Sequence, residues 1–368
     1  MKPHSAAFNK PLLYITMALF LGGLLMVFSA SMVLSQKKFG SVGYYTFRQL
    51  IYGGAPGIIL LLITSHIPYH FWRKASLPLM ILSFMMLALI FLPKLGFSFG
   101  GATRWLKLGP ITFQPSEILK LTFVIYLASW LDARRKEIAS ISYGLIPFAM
   151  MLSMVGIFLI MQPDFGTLGI IVISAGLLYF LGGGKTSQIV TLSILGLVLA
   201  FLFIQIAPYR MNRLNVFLNP GLDPRGIGYH ANQASIAIGS GGFWGVGFGK
   251  GLQKYNYLPE PMGDSVFAVF AEEMGFLGVA IILFMFAVFL RQGLKIAKHA
   301  PDSFGQLLAG GIILSIVTQV FINIAAISGL FPLTGIPLPF LSYGGTSLAV
   351  TLAGVGILLN ISRYSSAS

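Results

Sequence analysis

Cysteine is absent from this 368-residue sequence, which excludes disulfides, thiol nucleophiles, haem-thiolate centres and zinc-thiolate sites. Charge is nearly as scarce: 9% of residues are Asp, Glu, Lys or Arg, against about 25% in a soluble globular chain. With 56% hydrophobic residues and a mean hydropathy of +0.84, the chain has too little polar surface to cover a water-facing exterior. Its solvent is therefore largely lipid, which admits only helical bundles and closed barrels. The alternating segments of about ten residues that mark a barrel are missing. Apolar runs of about 17 to 25 residues are present instead, the length of a bilayer-spanning helix. Acids number 10 against 24 Lys and Arg, a formal net charge of +14. Such an excess would point to nucleic acid if it were gathered on a soluble module. Here the basic residues are scattered among short loops, as beside anionic membrane lipid, and no nucleic-acid partner is expected.

The expected fold class is all-α, a polytopic membrane protein in one domain of about ten transmembrane helices. Apolar runs separated by charged or Gly/Pro-rich breaks place spans near 11–35, 48–66, 76–93, 115–131, 143–161, 166–182, 188–207, 265–290, 306–328 and 345–361. The first run is too long for a signal-peptide core and reads as a retained span, although Ser29-Ala30-Ser31 resembles a cleavage site. Between the fifth and sixth spans only Gln162-Pro163-Asp164-Phe165 interrupts, and Pro163 with Asp164 favours a turn there. An even number of spans puts both termini on one side. Basic residues are denser in the loops on the side of Lys2 and Lys10, among them Arg73, Lys74, Arg134, Arg135, Lys136, Lys185, Arg291, Lys295, Lys298 and Arg363, although the raw counts tie. Density favours cytoplasmic termini. The outer basics gather in a long loop, 207–264, and a shorter segment, Lys94 to Gln114. Both are rich in Gly and carry Trp, and the long loop adds Tyr, which suits irregular backbone at a membrane interface.

With only 10 acids each can be audited. Asp132, Glu137 and Asp302 lie among inner-loop basics, and Asp223 in Asn219-Pro220-Gly221-Leu222-Asp223-Pro224 is a turn residue. Six remain inside spans or at their outer ends: Glu117, Asp164, Glu260, Asp264, Glu272 and Glu273. An ionisable group at membrane depth is a functional candidate. Glu117 and Lys120 share a helix face, as a local ion pair, with Lys120 turned to a cavity that takes an anionic headgroup, or both at once. Asp264 follows Leu258-Pro259-Glu260-Pro261-Met262-Gly263, where it would serve as a helix N-cap. Against a cap alone, Glu272 would lie roughly 12 Å deeper on about the same face, with Glu273 beside it.

Some patterns fail. Gly184-Lys185-Thr186 resembles the end of a P-loop, but Tyr179 stands where the first glycine belongs and no strand precedes it. Gly239 through Gly251 lacks the strand, turn and helix of a dinucleotide fold. His66 and His70 have metal-like spacing that Pro68 breaks, and His4, His230 and His299 are scattered, so no histidine metal site is expected.

Five segments in order across the spans resemble the shape, elongation, division and sporulation (SEDS) family, which includes FtsW, RodA and SpoVE. They are Phe28-Ser29-Ala30-Ser31; Gly101-Ala102-Thr103-Arg104-Trp105-Leu106-Lys107-Leu108-Gly109 with Phe113-Gln114-Pro115-Ser116-Glu117; Gln162 to Thr167; Tyr257-Leu258-Pro259-Glu260 on to Asp264 and Ala271-Glu272-Glu273; and Pro337 to Ser347. The Gln253-Lys254 pair and Leu338-Pro339-Phe340-Leu341-Ser342-Tyr343-Gly344-Gly345 are more similar to FtsW than to RodA. One departure is Met262-Gly263-Asp264, where many members read His-Thr-Asp or His-Ser-Asp, so no role for that histidine carries over. The resemblance implies a peptidoglycan glycosyltransferase that polymerises lipid II, an undecaprenyl-pyrophosphate-linked disaccharide pentapeptide, in the bacterial cytoplasmic membrane. It implies as partners a class B penicillin-binding protein, an FtsI-like transpeptidase, with divisome proteins and membrane lipid. By similarity Asp264 is the catalytic carboxylate, acting as general base with inversion at the anomeric carbon. Arg48, Arg104, Trp105, Ser116, Glu117, Lys120, Asp164, Arg213, Glu272 and Ser342 are expected to bind substrate. Of these the cations Lys120, Arg48, Arg104 and Arg213 would face the pyrophosphate, and Trp105 would pack on a sugar face or anchor its loop. No organic cofactor is expected; a divalent cation, Mg2+ or Mn2+, would supplement the basic residues. A lipid II flippase and a non-catalytic scaffold for a transpeptidase are the alternatives.

Overall fold

The computed structural model describes residues 8–99, 102–109, 111–206 and 208–365; Lys2, His4, Gly101 and Ala207 of the sequence reading lie outside the described residues. In chain order the helices are α1 (Lys10–Phe39), α2 (Tyr44–Gln49), α3 (Ala55–His66), α4 (His70–Leu89), α5 (Pro115–Ala133), α6 (Ile146–Met161), α7 (Phe165–Leu181), α8 (Thr186–Ile206), α9 (Pro208–Leu218), α10 (Tyr229–Ser240), α11 (Val266–His299), α12 (Ser303–Ile327) and α13 (Gly345–Tyr364). A π-helical turn, Leu50–Gly54, joins α2 to α3 as one span, Tyr44–His66, and another begins the span Ile141–Met161 that α6 completes.

Among the described residues eight helices are long and apolar enough to cross a membrane. The 17-residue α7 and the 19-residue α5, which carries three charges, complete the expected ten. α12 and α13 are the bundle's interior, with 72% of their most apolar windows buried, whereas α8 has 6% and faces outward. α12 packs against α5, α7 and α11, and α13 runs along α3. Local sequence fixes the ends: Asn9 Oδ1 accepts from Leu12 N at 2.9 Å to cap α1, and Gly40, at φ 68°, closes it by donating to Gln36 O, a left-handed C-cap that glycine adopts without strain.

Two expectations of irregular backbone are corrected. The segment from Lys94 to Gln114 holds an antiparallel three-stranded sheet, β1 (Gly96–Phe99), β2 (Ala102–Leu108) and β3 (Ile111–Phe113), in that order. Phe97 pairs with Trp105 and Leu106 with Phe113, with a bulge after Phe97. The loop 207–264 contains α9 and α10, too short to cross a membrane; α10 packs along α11. α11 also runs past the expected end at 290, because Arg291, Lys295 and Lys298 continue it as a charged extension.

Close backbone approach depends on glycine at two places. A Cβ on Gly23 of α1 would overlap the Phe340 carbonyl, while adjacent Gly22 has open space. Gly275 breaks α11 at φ 63°, where the chain 241–247 crosses so closely that a Cβ would overlap Gly245 N. There Phe276 N and Leu277 N donate to Gly242 O and Phe243 O, replacing helix partners lost at the break. The adjacent glycines make a test: Gly23→Ala should cost on the order of 2 kcal/mol or more through overpacking and lower the melting temperature in detergent. Gly22→Ala should leave it unchanged or slightly raised, and equal melting of both variants would contradict the packing.

Candidate active site

The residues Pro259 to Ser265 turn the chain into α11, with Glu260 at φ 46° and Gly263 N donating to Glu260 O at 2.9 Å. Two buried side chains outside the turn, Ser342 and Asn323, hold its backbone, and a third, Gln49, holds the segment that carries Ser342. Ser342 Oγ donates to Gly263 O at 2.6 Å and accepts from Leu338 N at 2.7 Å. Asn323 of α12 spends both amide protons, one on Asp264 O at 2.9 Å and one on Ile336 O at 2.8 Å. Gln49 donates to Ser342 O at 3.2 Å and accepts from Gly344 N at 3.0 Å. Tyr343 N adds a bond to Met262 O at 2.7 Å. Segment 336–344, whose own peptide groups need partners, is thereby fastened to the Asp264 turn.

Asp264 does not cap α11. Ser265 is the N-cap residue, without a side-chain cap bond, so the carboxylate is left for other work. Its Oδ1 lies 3.4 Å from Ser265 Oγ. Part of the residue's surface is still accessible, yet protein atoms crowd the carboxyl. That desolvation pushes its pKa up to about 6, opposed by the Arg213 guanidinium, the Ser265 hydroxyl and the backbone N–H groups of Asp264 and Ser265. Glu260 is raised as well, by burial and then by the Asp264 charge, with His230 and Lys38 opposing. His230 is held down at about 4 by burial and Arg213, so the imidazole is neutral in the working range. Arg213, from α9, donates to Leu333 O at 2.6 Å. Arg48 lies against the rings of Tyr52 and Tyr44 at 5.4 and 5.8 Å, and neighbouring Tyr45 meets Tyr343 edge to face. Asp264, Arg213, Arg48 and Ser342 therefore share one face of the bundle.

The other expected site residues are engaged elsewhere. Lys120 is buried in a 2.8 Å ion pair with Glu117 and donates to Gln319 Oε1 at 2.5 Å. The adjoining cavity of about 30 Å3, lined by Glu117, Lys120, Ser315, Gln319 and Thr351, has room for water and not for a lipid headgroup. The ion pair expected of this couple is present, and Lys120 also spends a proton on Gln319. Ser116 Oγ and Gln114 Nε2 donate to Asp164 Oδ2 at 2.9 and 3.3 Å, while Asp164 Oδ1 caps α7 at Thr167 N. Arg104 donates to the carbonyls of Gln162 and Pro163, tying β2 to the same corner, and Trp105 is half-buried in the sheet opposite Phe97.

Glu272 does not form a column with Asp264. Its carboxylate accepts from Leu252 N at 2.7 Å and from Gln253 N. Glu273 takes Lys254 Nζ at 2.7 Å, Ser29 Oγ at 2.6 Å and Gly249 N at 3.0 Å, with Lys254 and Glu273 side chains fully buried. Both acids pin the glycine-rich segment to α11.

His230, Asn323, Gln319, Gln49 and Lys254 were missed from the sequence. Gln319 and Asn323, one turn apart in an apolar span, were the readable signal. Among the described residues no group of three or more His, Cys, Asp and Glu is disposed to hold a metal ion.

A membrane bundle that presents one raised-pKa aspartate in a clamped turn defines a class, and comparison with known proteins supplies its relatives. The family model for FtsW, RodA and SpoVE, described as a cell cycle protein, matches residues 10–367. Stage V sporulation protein E of Bacillus subtilis is 40% identical over 354 residues, 96% of each chain. The probable peptidoglycan glycosyltransferase FtsW of Trichlorobacter lovleyi is 38% identical over 97% of this chain and 93% of its own. Among solved structures, a chain from work on structural coordination of polymerization and crosslinking by a peptidoglycan synthase complex superposes with a TM-score of 0.83 at 26% identity, covering 99% and 100% of the two chains. Thermus thermophilus rod shape determining protein RodA gives 0.72 at 26% identity, covering 99% of each chain. The chain belongs to the FtsW/RodA/SpoVE family of polytopic membrane proteins.

Breaking the Lys254–Glu273 pair from one side should strand a buried carboxylate. Lys254→Met is expected to cost about 3–5 kcal/mol and lower the melting temperature in detergent, whereas Asp264→Asn should leave it within a few degrees. A Lys254→Met protein as stable as wild type would contradict the assigned role.

Proposed function

We propose that the protein is a peptidoglycan glycosyltransferase that polymerises lipid II into glycan strands at the outer face of the bacterial cytoplasmic membrane, with Asp264 as general base. The observation that carries this reading is the Asp264 carboxyl: raised to about 6, spared from capping, and fixed at its backbone by Asn323. A base with pKa near the working pH combines the ionised form with useful proton affinity. The glycosyltransferase name of the FtsW relatives supports the substrate class.

In the reaction a sugar hydroxyl of one chain attacks the anomeric carbon of a second sugar. Its proton passes to the Asp264 carboxylate as the new C–O bond forms. The bond to undecaprenyl pyrophosphate breaks, and its electron pair leaves with the pyrophosphate. We assign Arg213, whose charge acts on Asp264, and Arg48 on the same face to the growing negative charge. A divalent cation, Mg2+ or Mn2+, would add positive charge against the leaving pyrophosphate alongside these arginines. Single displacement inverts the anomeric carbon.

The proposed setting places both termini in the cytoplasm, following the density of basic residues. The proposed partner is a class B penicillin-binding protein transpeptidase with the divisome proteins, consistent with the synthase-complex neighbour. Flippase action would need polar groups open along the membrane depth, whereas Glu117, Lys120, Glu272 and Glu273 spend theirs on internal bonds. A scaffold would have no use for an uncapping, raised-pKa carboxyl.

Lipid II polymerisation by the purified chain with its transpeptidase should be lost by at least about a hundredfold in Asp264→Asn. The base works only when ionised, so wild-type rate should fall about tenfold per pH unit below the carboxyl's value of about 6 and level off above it. Wild-type activity retained in Asp264→Asn, or an acid limb near the usual carboxylate range of about 4, would remove the assignment.

A further inference from the structure

Ser265 is fully buried, and its hydroxyl has one proton to give and lone pairs to receive. Its three polar neighbours are Pro259 O at 2.9 Å, Asp264 Oδ1 at 3.4 Å and His230 Nε2 at 2.7 Å. The carbonyl accepts only, and the ionised carboxylate accepts only. The two close contacts, to Pro259 O and His230 Nε2, are hydrogen bonds at once only when the hydroxyl proton goes to an oxygen and Nε2 supplies its own. This assigns the proton of the His230 ring to Nε2.

We propose that His230 is a positioning residue for Asp264: by donating from Nε2 to Ser265 Oγ it fixes the hydroxyl beside the carboxylate and so sets the carboxylate's direction. The proposal rests on the reading of Asp264 as the base of a lipid II polymerase. The Asp264 main chain is tied by Asn323, and among the described residues its carboxylate meets the long Ser265 contact, neighbouring peptide N–H groups and the Arg213 charge. The pair serves both protonation states. With Asp264 ionised, the Ser265 proton can turn to Oδ1; once the carboxyl has taken a proton, the hydroxyl turns to Pro259 O, and the imidazole bond persists in both. A neutral donor suits this place because a cation there would lower the basicity of Asp264. The charged groups around the ring are Arg213 from α9 and Glu260 and Asp264 from the turn, with Lys38 at the end of α1 acting on Glu260. Arg213 opposes protonation of the ring and Glu260 favours it, and with burial the balance leaves it neutral.

The test is polymerisation of lipid II by the full chain with its transpeptidase between about pH 5 and 8, comparing wild type with His230→Phe, His230→Gln, Ser265→Ala and the His230→Phe/Ser265→Ala double variant. Removing the donor should lower kcat about tenfold, with KM unchanged, and move the acid limb upward, since the hydroxyl no longer favours the ionised form. His230→Gln keeps a side-chain N–H and should recover most of kcat and the wild-type limb. Because the effect passes through Ser265, the double variant should be no worse than Ser265→Ala. Wild-type kcat and limb in His230→Phe would overturn the inference and leave Asp264 standing. So would losses that multiply in the double variant, or a His230→Gln protein as impaired as His230→Phe. Absence of polymer from wild type itself would overturn the polymerase reading and this inference with it.

Discussion

A backbone that leaves helical geometry inside a lipid-embedded bundle has no water to turn to, so each of its peptide groups must find a partner in the protein. Two segments here meet that demand, and the rest of the site depends on how they do it. The stretch 336–344 is held by Asn323, Gln319, Gln49 and Ser342. The stretch 241–254 is held by Glu272, Glu273 and the broken helix at Gly275. The first stretch grips the Asp264 turn through Gly263 O and Met262 O. Satisfying the backbone and positioning the carboxylate are the same act.

The division among the acids follows. Carboxylates that saturate themselves with donors are structural: Glu273 has a lysine, a serine and a peptide N–H. Asp264 has desolvation without a comparable set, and its basicity rises accordingly. Gln319 links the two regimes, donating to Pro337 O while accepting from Lys120. The Glu117–Lys120 pair thus anchors, at depth, the segment that reaches the site. Its worth lies in holding one arrangement, since a buried pair earns little net stability.

The spans were legible because apolar length is a local property: 143–161 and 166–182 fall within two residues of Ile141–Met161 and Phe165–Leu181. The Glu117–Lys120 pair was legible from its spacing alone. The sheet was hidden by strands of 3 to 7 residues, too short to separate from turns. The use of Glu272 was not legible because its donors, Leu252 N and Gln253 N, lie 20 and 19 residues away in the sequence. His230 was discounted for lack of a metal partner, and its actual partner is a serine 35 residues away, a pairing no local pattern announces. The five matched segments led to Asp264, and the structure supplied what surrounds it.

The central claim is that Asp264 takes a proton and never bonds to sugar. Its most direct test is the stereochemistry of the linkage, read by NMR of the glycan made by the purified chain, together with intact mass of the protein during turnover. The account predicts inverted anomeric configuration relative to the donor and an unmodified protein mass. Retained configuration with a glycosyl ester mapped to Asp264 would contradict it and make the carboxylate a nucleophile.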